Sequence, residues 1–410
     1  MRDREYSAYR LLNVPGFGSK AVYYIYDNLI RLGLKVDDLF DNSVSWKDYF
    51  PEIGRGKFSR ANFSAIQTLD NEKIYASFQR LKSDDIYIIG LDDERYPKSL
   101  VDKLGENAPP VLFCKGHLPL LNVDSVSIAG SRDASDVAYK ITQRIAVRLS
   151  ENGYNITSGF AKGVDTHAHT GALEGGGTTT AVLSYGFNYL SIKKDIKAYN
   201  DWEQRTLFIT QFMPYEKFSG QNAMTRNKLV CALSKAVIVI SSGPARDGGG
   251  KMSGTFDAGS TTLKYNIPLF VLNPSLLKPA PQGNIDLIKM GGTPLSNGEE
   301  LEQYLTKIGS PSPLTPEIAP YIIPESSSLL VEEPESNYDQ KQTKGVNEII
   351  LDLLGDKALS TGDILEQAQL DWTPKKLIAF LKMNDEIEII KKGNSNYFKK
   401  KNSTAQINLF

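Results

Sequence analysis

The chain has 410 residues, 41% hydrophobic and 23% charged, a length that suits two to four domains of ~100–200 residues. With 47 Lys and Arg against 48 Asp and Glu, the formal net charge is −1. That balance excludes a whole-molecule attraction for nucleic acid and leaves only local patches to provide one.

Cys114 and Cys231 lack metal or redox spacing, the N-terminus lacks the apolar core of a signal peptide, and no run reaches ~18 apolar residues. A soluble cytoplasmic protein is expected. In chain order, residues 1–75 read as a small helical domain of helix-hairpin-helix or SAM-like type. Pro15-Gly16-Phe17-Gly18 is its clearest turn, which either faces a phosphate or is purely structural. Strands follow at 85–90 and 111–113. Residues 76–308 then alternate strand and helix, with strands expected at 125–129, 154–158, 179–184, 206–211, 236–241 and 268–272.

Helices fit between them, notably 135–152 and 165–175, with Ser135 and Asp165 as N-caps. The fold class is α/β, a Rossmann-like doubly wound parallel sheet whose ligands belong at the carboxyl ends of the strands. Residues 309–344 read as a linker rich in Pro, Ser and Glu. Three helical patterns (346–355, 362–369, 374–384) and a hairpin through Ile387–Ile390, Gly393-Asn394 and Tyr397-Phe398 make residues 345–401 a C-terminal winged-helix domain. Its lysines favour nucleic acid mildly, and the sequence does not decide between DNA and protein. Residues 402–410 form a flexible tail.

Two turns carry the chemistry. Gly130-Ser131-Arg132 ends one strand; Ser158-Gly159, Lys162-Gly163 and Asp165 end the next and open a helix. Such turns point backbone N–H groups at an anion, and Arg132 and Lys162 add positive charge. Arg226, Asn227 and Lys228 open another helix pattern, and Ser253, Gly254 and Thr255 follow a further strand, so Arg132, Lys162, Arg226 and Lys228 are expected on one face. The segment Asp165-Thr166-His167-Ala168-His169 is not expected to bind a metal, because helical residues two apart face different ways. There is no nucleophile elbow and no phosphate loop; Gly248-Gly249-Gly250-Lys251 lacks the leading glycine. No catalytic residue, cofactor or metal is expected.

These residues resemble the DNA-processing protein A (DprA/Smf) family. The resemblance rests on Tyr96-Pro97 with Pro109-Pro110-Val111-Leu112-Phe113-Cys114-Lys115-Gly116, on Gly130-Ser131-Arg132, on Ser158 through Asp165 to His169, on Gly171-Ala172-Leu173, on Arg226-Asn227-Lys228, on Ser253-Gly254-Thr255 and on Gly283-Asn284-x-x-Leu287-Ile288. It implies a single-stranded-DNA-binding, non-enzymatic recombination mediator that dimerises and loads a RecA-type recombinase in natural transformation or foreign-DNA handling. It also implies that the residues of the two turns, with His169, Arg226, Asn227, Lys228, Ser253, Gly254 and Thr255, meet DNA phosphate. The chain departs from the family at Gln211 (usually Glu), at Lys228 (usually Arg), after Ser184, where a Tyr-Pro is missing, and in the Gly-rich stretch Pro244–Lys251. Lysine keeps the charge at 228 but not the two-pronged phosphate geometry of arginine.

Two rivals share the fold: a LOG-type phosphoribohydrolase, whose Glu position is held here by Ala258 beside Asp257, and a nucleotide-binding sensor signalling through the winged helix. The last residues, Gln406-Ile407-Asn408-Leu409-Phe410, resemble the pentapeptide that binds the bacterial polymerase sliding clamp, with Gln406, Leu409 and Phe410 as anchors.

Overall fold

The computed structural model describes residues 3–40, 46–47, 49–246, 250, 253–311, 350, 353–354, 357–368, 377–378, 381, 387–392 and 395–400. The chain divides into two compact units, Met1–Ile322 and Ile323–Asn408.

The first unit opens with α1 (Arg4–Leu12), capped by the Asp3 side chain, and α2 (Ser19–Leu32), which ends at left-handed Gly33. The Pro-Gly turn between them is packed: a Cβ at Gly16 (φ +84°) would lie 2.0 Å from the Arg60 carbonyl oxygen. After α3 (Asn71–Ser83) come β1 (Tyr87–Gly90), α4 (Lys98–Leu104), β2 (Val111–Gly116) and β3 (Ser125–Ala129). Next are α5 (Asp136–Glu151), β4 (Asn155–Gly159), α6 (Val164–Glu174), β5 (Thr179–Val182), the short α7 (Lys194–Lys197) and α8 (Trp202–Arg205), and β6 (Thr206–Thr210). Then follow α9 (Gly220–Ala232), β7 (Ala236–Val239), α10 (Gly254–Lys264), β8 (Leu269–Leu272), α11 (Gln282–Lys289), β9 (Thr293–Leu295) and α12 (Gly298–Ile308).

These nine strands form one sheet in the order β1-β2-β6-β5-β4-β3-β7-β8-β9. From β6 to β9 all neighbours are parallel, and β4 to β8 are buried along their whole length, as helices on both faces of the sheet require. The sheet is mixed rather than wholly parallel: β2 pairs antiparallel with β6, and β1 antiparallel with β2. The helices of the first 85 residues share this core, since Tyr9 and Phe78 are buried in one cluster with Phe113 and Phe208. The chain winds from β3 through β4 and β5 to one side, while β7 lies on the other side of β3. A crevice therefore opens beyond the carboxyl ends of β3 and β7, where ligands bind in such sheets.

Both sheet edges carry distinctive residues. At β1 the Ile88 amide donates to the Glu5 carboxylate at 3.0 Å, and Lys82 and Arg95 also pair with Glu5. At the opposite edge β9 has Pro294 at its centre, whose carbonyl accepts from the Tyr304 hydroxyl at 2.9 Å.

In the second unit, β10 (Leu359–Ser360), α13 (Thr361–Gln367), β11 (Ile387–Lys392) and β12 (Ser395–Lys400) form a three-stranded antiparallel sheet, ordered β10-β12-β11, with a helix beside it. Ser360 and Asp363 cap α13 reciprocally, and Ile350, Leu354, Ile364, Leu377, Leu381, Ile387 and Phe398 make the core. The turn at Gly393-Asn394, most of the helical patterns 346–355 and 374–384, most of the linker, and Gln406, Leu409 and Phe410 lie outside the described residues. No described helix is long and apolar enough to cross a membrane.

Candidate nucleic-acid interface

The two glycine turns interlock. Ser131 N–H donates to the Ser241 carbonyl at 2.8 Å, tying the end of β3 to the end of β7 across the crevice. A Cβ at Gly130 would lie 2.5 Å from Val164, so the first turn lies against the start of α6. Gly163 caps α6 with φ +77°, a left-handed conformation suited to glycine, and a Cβ there would meet the Arg132 carbonyl oxygen at 2.5 Å. Val164 N–H then donates to the Ser131 carbonyl. Arg132 and Lys162 project outward from this pair of turns, both exposed.

Beneath them lies a buried polar layer. Gly159 ends β4, and the space a side chain would fill holds the Arg226 guanidinium, 1.6 Å from the Cβ position, with the Asp165 carboxylate 2.5 Å from it. Arg226 donates to the Val182 carbonyl at 3.1 Å, while its Nε has no partner. Burial pulls its pKa down and the Asp165 charge pulls it up. Asp165 accepts from the Ala161 amide at 3.2 Å. His169 is fully enclosed: Nε2–H donates to the Gly159 carbonyl at 3.2 Å, and Nδ1 meets the Thr179 hydroxyl at 2.7 Å. Burial, with Lys193 nearby, pushes its pKa down to about 3, so the ring is neutral.

Lys193 closes this layer. Its ammonium donates to the Ala161 carbonyl at 2.5 Å and the Thr166 hydroxyl at 2.8 Å, and stands 4.5 Å over the Phe160 ring. Burial lowers its pKa to about 8. On the other side of the crevice, Ser253 caps α10 by accepting from the Phe256 amide. Asn227 donates to the Gly254 carbonyl at 2.9 Å and to Asp257 at 3.0 Å. Asn284 accepts from Ser242 N–H and donates to the Ile240 and Leu272 carbonyls, fixing the ends of β7 and β8.

The residues singled out from sequence therefore fall in two layers. Arg132, Lys162 and Gly254 are exposed, and Gly130, Ser131, Gly163, Lys228, Ser253 and Thr255 are half-exposed. Ser158, Gly159, Asp165, His169, Arg226 and Asn227 are buried; Ser158 donates to the Ile128 carbonyl at 2.7 Å. Arg226 does not share the open face with Arg132 and Lys162, because α9 begins at Gly220, capped by Ser219, and carries Arg226 down under Gly159. Ser135 is the expected N-cap, but α6 is capped by Gly163, and Asp165 instead holds the Ala161 amide. His167 and His169 do face different ways: His167 stacks on Tyr139 at 4.6 Å. Among the described residues no group of three or more His, Cys, Asp or Glu is arranged to hold a metal ion. Ala258, at the hydrolase Glu position, is buried. Sequence reasoning missed Lys193, about thirty positions from the turn it braces, for which no local pattern existed.

A family model described as DNA recombination-mediator protein A matches residues 87–306, from the start of β1 into α12. The chain belongs to this family. Among relatives in the DNA recombination-mediator A family, it is 29% identical over 234 residues to the DNA processing protein DprA of Streptococcus pneumoniae, covering 57% of this chain and 77% of the relative. It is 24% identical over 242 residues to the DprA of Bacillus subtilis, with the same shares covered. The X-ray structure of the Streptococcus pneumoniae DprA aligns with a TM-score of 0.60 over 74% of this chain and 98% of that one, at 23% identity, and shares its fold. All the crevice residues described above lie within the family match.

Proposed function

We propose that the protein binds single-stranded DNA along the crevice rim and acts, without turnover, as a cytoplasmic homodimeric mediator that protects the strand and loads a RecA-type recombinase in transformation or foreign-DNA handling. One observation carries this reading. Arg132 and Lys162 stand exposed on two interlocked turns, over a buried layer that holds those turns in place. An exposed cation pair on anchored backbone fits a phosphate chain, which needs repeated anionic contacts and no bond cleavage. In this reading residues 1–75 are a helical domain, 76–308 the DNA-binding domain, 309–344 a linker, 345–401 a winged-helix domain, and 402–410 a tail.

The test is a salt series with oligo-dT and the matching duplex on the full-length protein. Affinity for the single strand should be higher, and its logarithm should fall linearly with log salt concentration. The double variant Arg132→Ala/Lys162→Ala should weaken binding roughly a hundredfold, at about 1.5 kcal/mol per lost charged contact, and flatten the salt slope by about 1.4. Its melting temperature should stay that of the parent. Wild-type affinity in the double variant refutes the shared site.

The tail adds a sliding-clamp partner to the proposal. Deleting residues 406–410 should abolish clamp binding while single-stranded-DNA binding persists; clamp affinity that survives the deletion rules the motif out.

A further inference from the structure

Phe218 and Tyr215 are 51% and 60% exposed, yet the segment that bears them is tightly fixed. Gly186 N–H donates to the Glu216 carbonyl at 2.8 Å and Asn188 N–H to the Pro214 carbonyl at 3.0 Å. A Cβ on Gly186 would lie 2.0 Å from the Met213 carbonyl oxygen, so the two loops are in direct contact. The Glu216 side chain accepts from Met213 N–H, Asn222 donates to the Lys217 carbonyl, and Ser219 caps α9 immediately after Phe218. Holding an aromatic ring in water on an anchored loop adds nothing to the core. The ring does have one partner: the Arg132 guanidinium stands 5.4 Å from its centroid.

Arg132 belongs to the phosphate-facing turn, so a phosphate held there sets its own nucleotide beside Phe218. A nucleobase has an apolar π-face that a rigid aromatic side chain can stack on, which single-strand binders use without reading sequence. With the guanidinium beside it, Phe218 stays half-exposed, which leaves ring surface open to a base. This inference rests on the proposed single-stranded-DNA reading and goes further by naming the group that meets the base.

We propose that Phe218 is a base-stacking platform, with Arg132 holding the adjoining phosphate, and that it makes the protein prefer strands with bases over a bare sugar-phosphate chain. The experiment compares full-length protein on dT oligomers and on abasic oligomers of equal length at fixed salt. The parent should bind the dT strand about tenfold more tightly. Phe218→Leu, which keeps apolar volume but loses the π-face, should remove that preference and leave abasic affinity and the melting temperature unchanged; Phe218→Trp should restore it. A parent that binds both strands equally, or a Phe218→Leu variant that weakens both equally, overturns the stacking role while leaving the phosphate site standing. Failure of the parent to bind either strand overturns the single-stranded-DNA reading itself and the stacking role with it.

Discussion

Replacing Gly159 with alanine is expected to unseat the whole support layer. The new methyl would lie 1.6 Å from Arg226 Nη1 and 2.5 Å from both Arg226 Cζ and the Asp165 carboxylate. A guanidinium enclosed at the base of the crevice has no free direction to retreat, so it must leave its bond to the Val182 carbonyl and its place beside Asp165. Removing one member of a buried charged arrangement leaves the other uncompensated, at a cost of about 3–5 kcal/mol. The denaturation midpoint of Gly159→Ala should fall accordingly, and single-stranded-DNA binding should fall with it, because the Ala161 amide and the following cation rest on the same layer. Gly254→Ala is the matched control, since a Cβ there meets nothing within 4 Å. Equal stability of the two variants would show that Arg226 moves freely after all.

His169 predicts an acid sensitivity with a definite sign. Its folded pKa is depressed from the ordinary 6.5 to about 3, so the unfolded chain takes a proton that the folded chain refuses. The stabilisation is complete above pH 6.5 and is lost as pH falls through 6.5 towards 3. Between pH 7 and pH 5 this one ring should remove about 2 kcal/mol of stability. His169→Gln keeps a donor for the Gly159 carbonyl and cannot titrate, so its stability should be flatter with pH across that interval. Denaturant unfolding at three pH values checks this; parallel curves for parent and variant would assign the acid sensitivity to other groups.

The sheet was legible because its chemistry is local. Apolar runs broken by Gly and Ser mark the ends of β3 and β4, and the helices between them follow from their periodicity and caps. The direction of β1 and β2 was not legible, since pairing sense depends on which strand they meet and not on their own residues. Arg132 and Lys162 are exposed, as long charged side chains on turns at strand ends commonly are. Arg226 was misplaced. It lies within a helix, where burial depends on what the facing strand offers, and the offer here is the missing side chain of Gly159. Lys193 and Phe218 meet Ala161 and Arg132 across long stretches of chain, so no spacing announces those contacts.

The two sheet edges have a consequence for how copies of this protein can meet. At β1 the Ile88 amide is occupied by the Glu5 carboxylate, and at β9 the central residue, Pro294, has no amide to give while the Tyr304 hydroxyl occupies its carbonyl. A neighbouring chain that tried to extend the ladder at either margin would find key backbone groups already used or missing, which suppresses strand-to-strand polymerisation. Contacts between copies at those two margins are thereby left to side-chain surfaces, because open-ended growth of the nine-stranded sheet is blocked there.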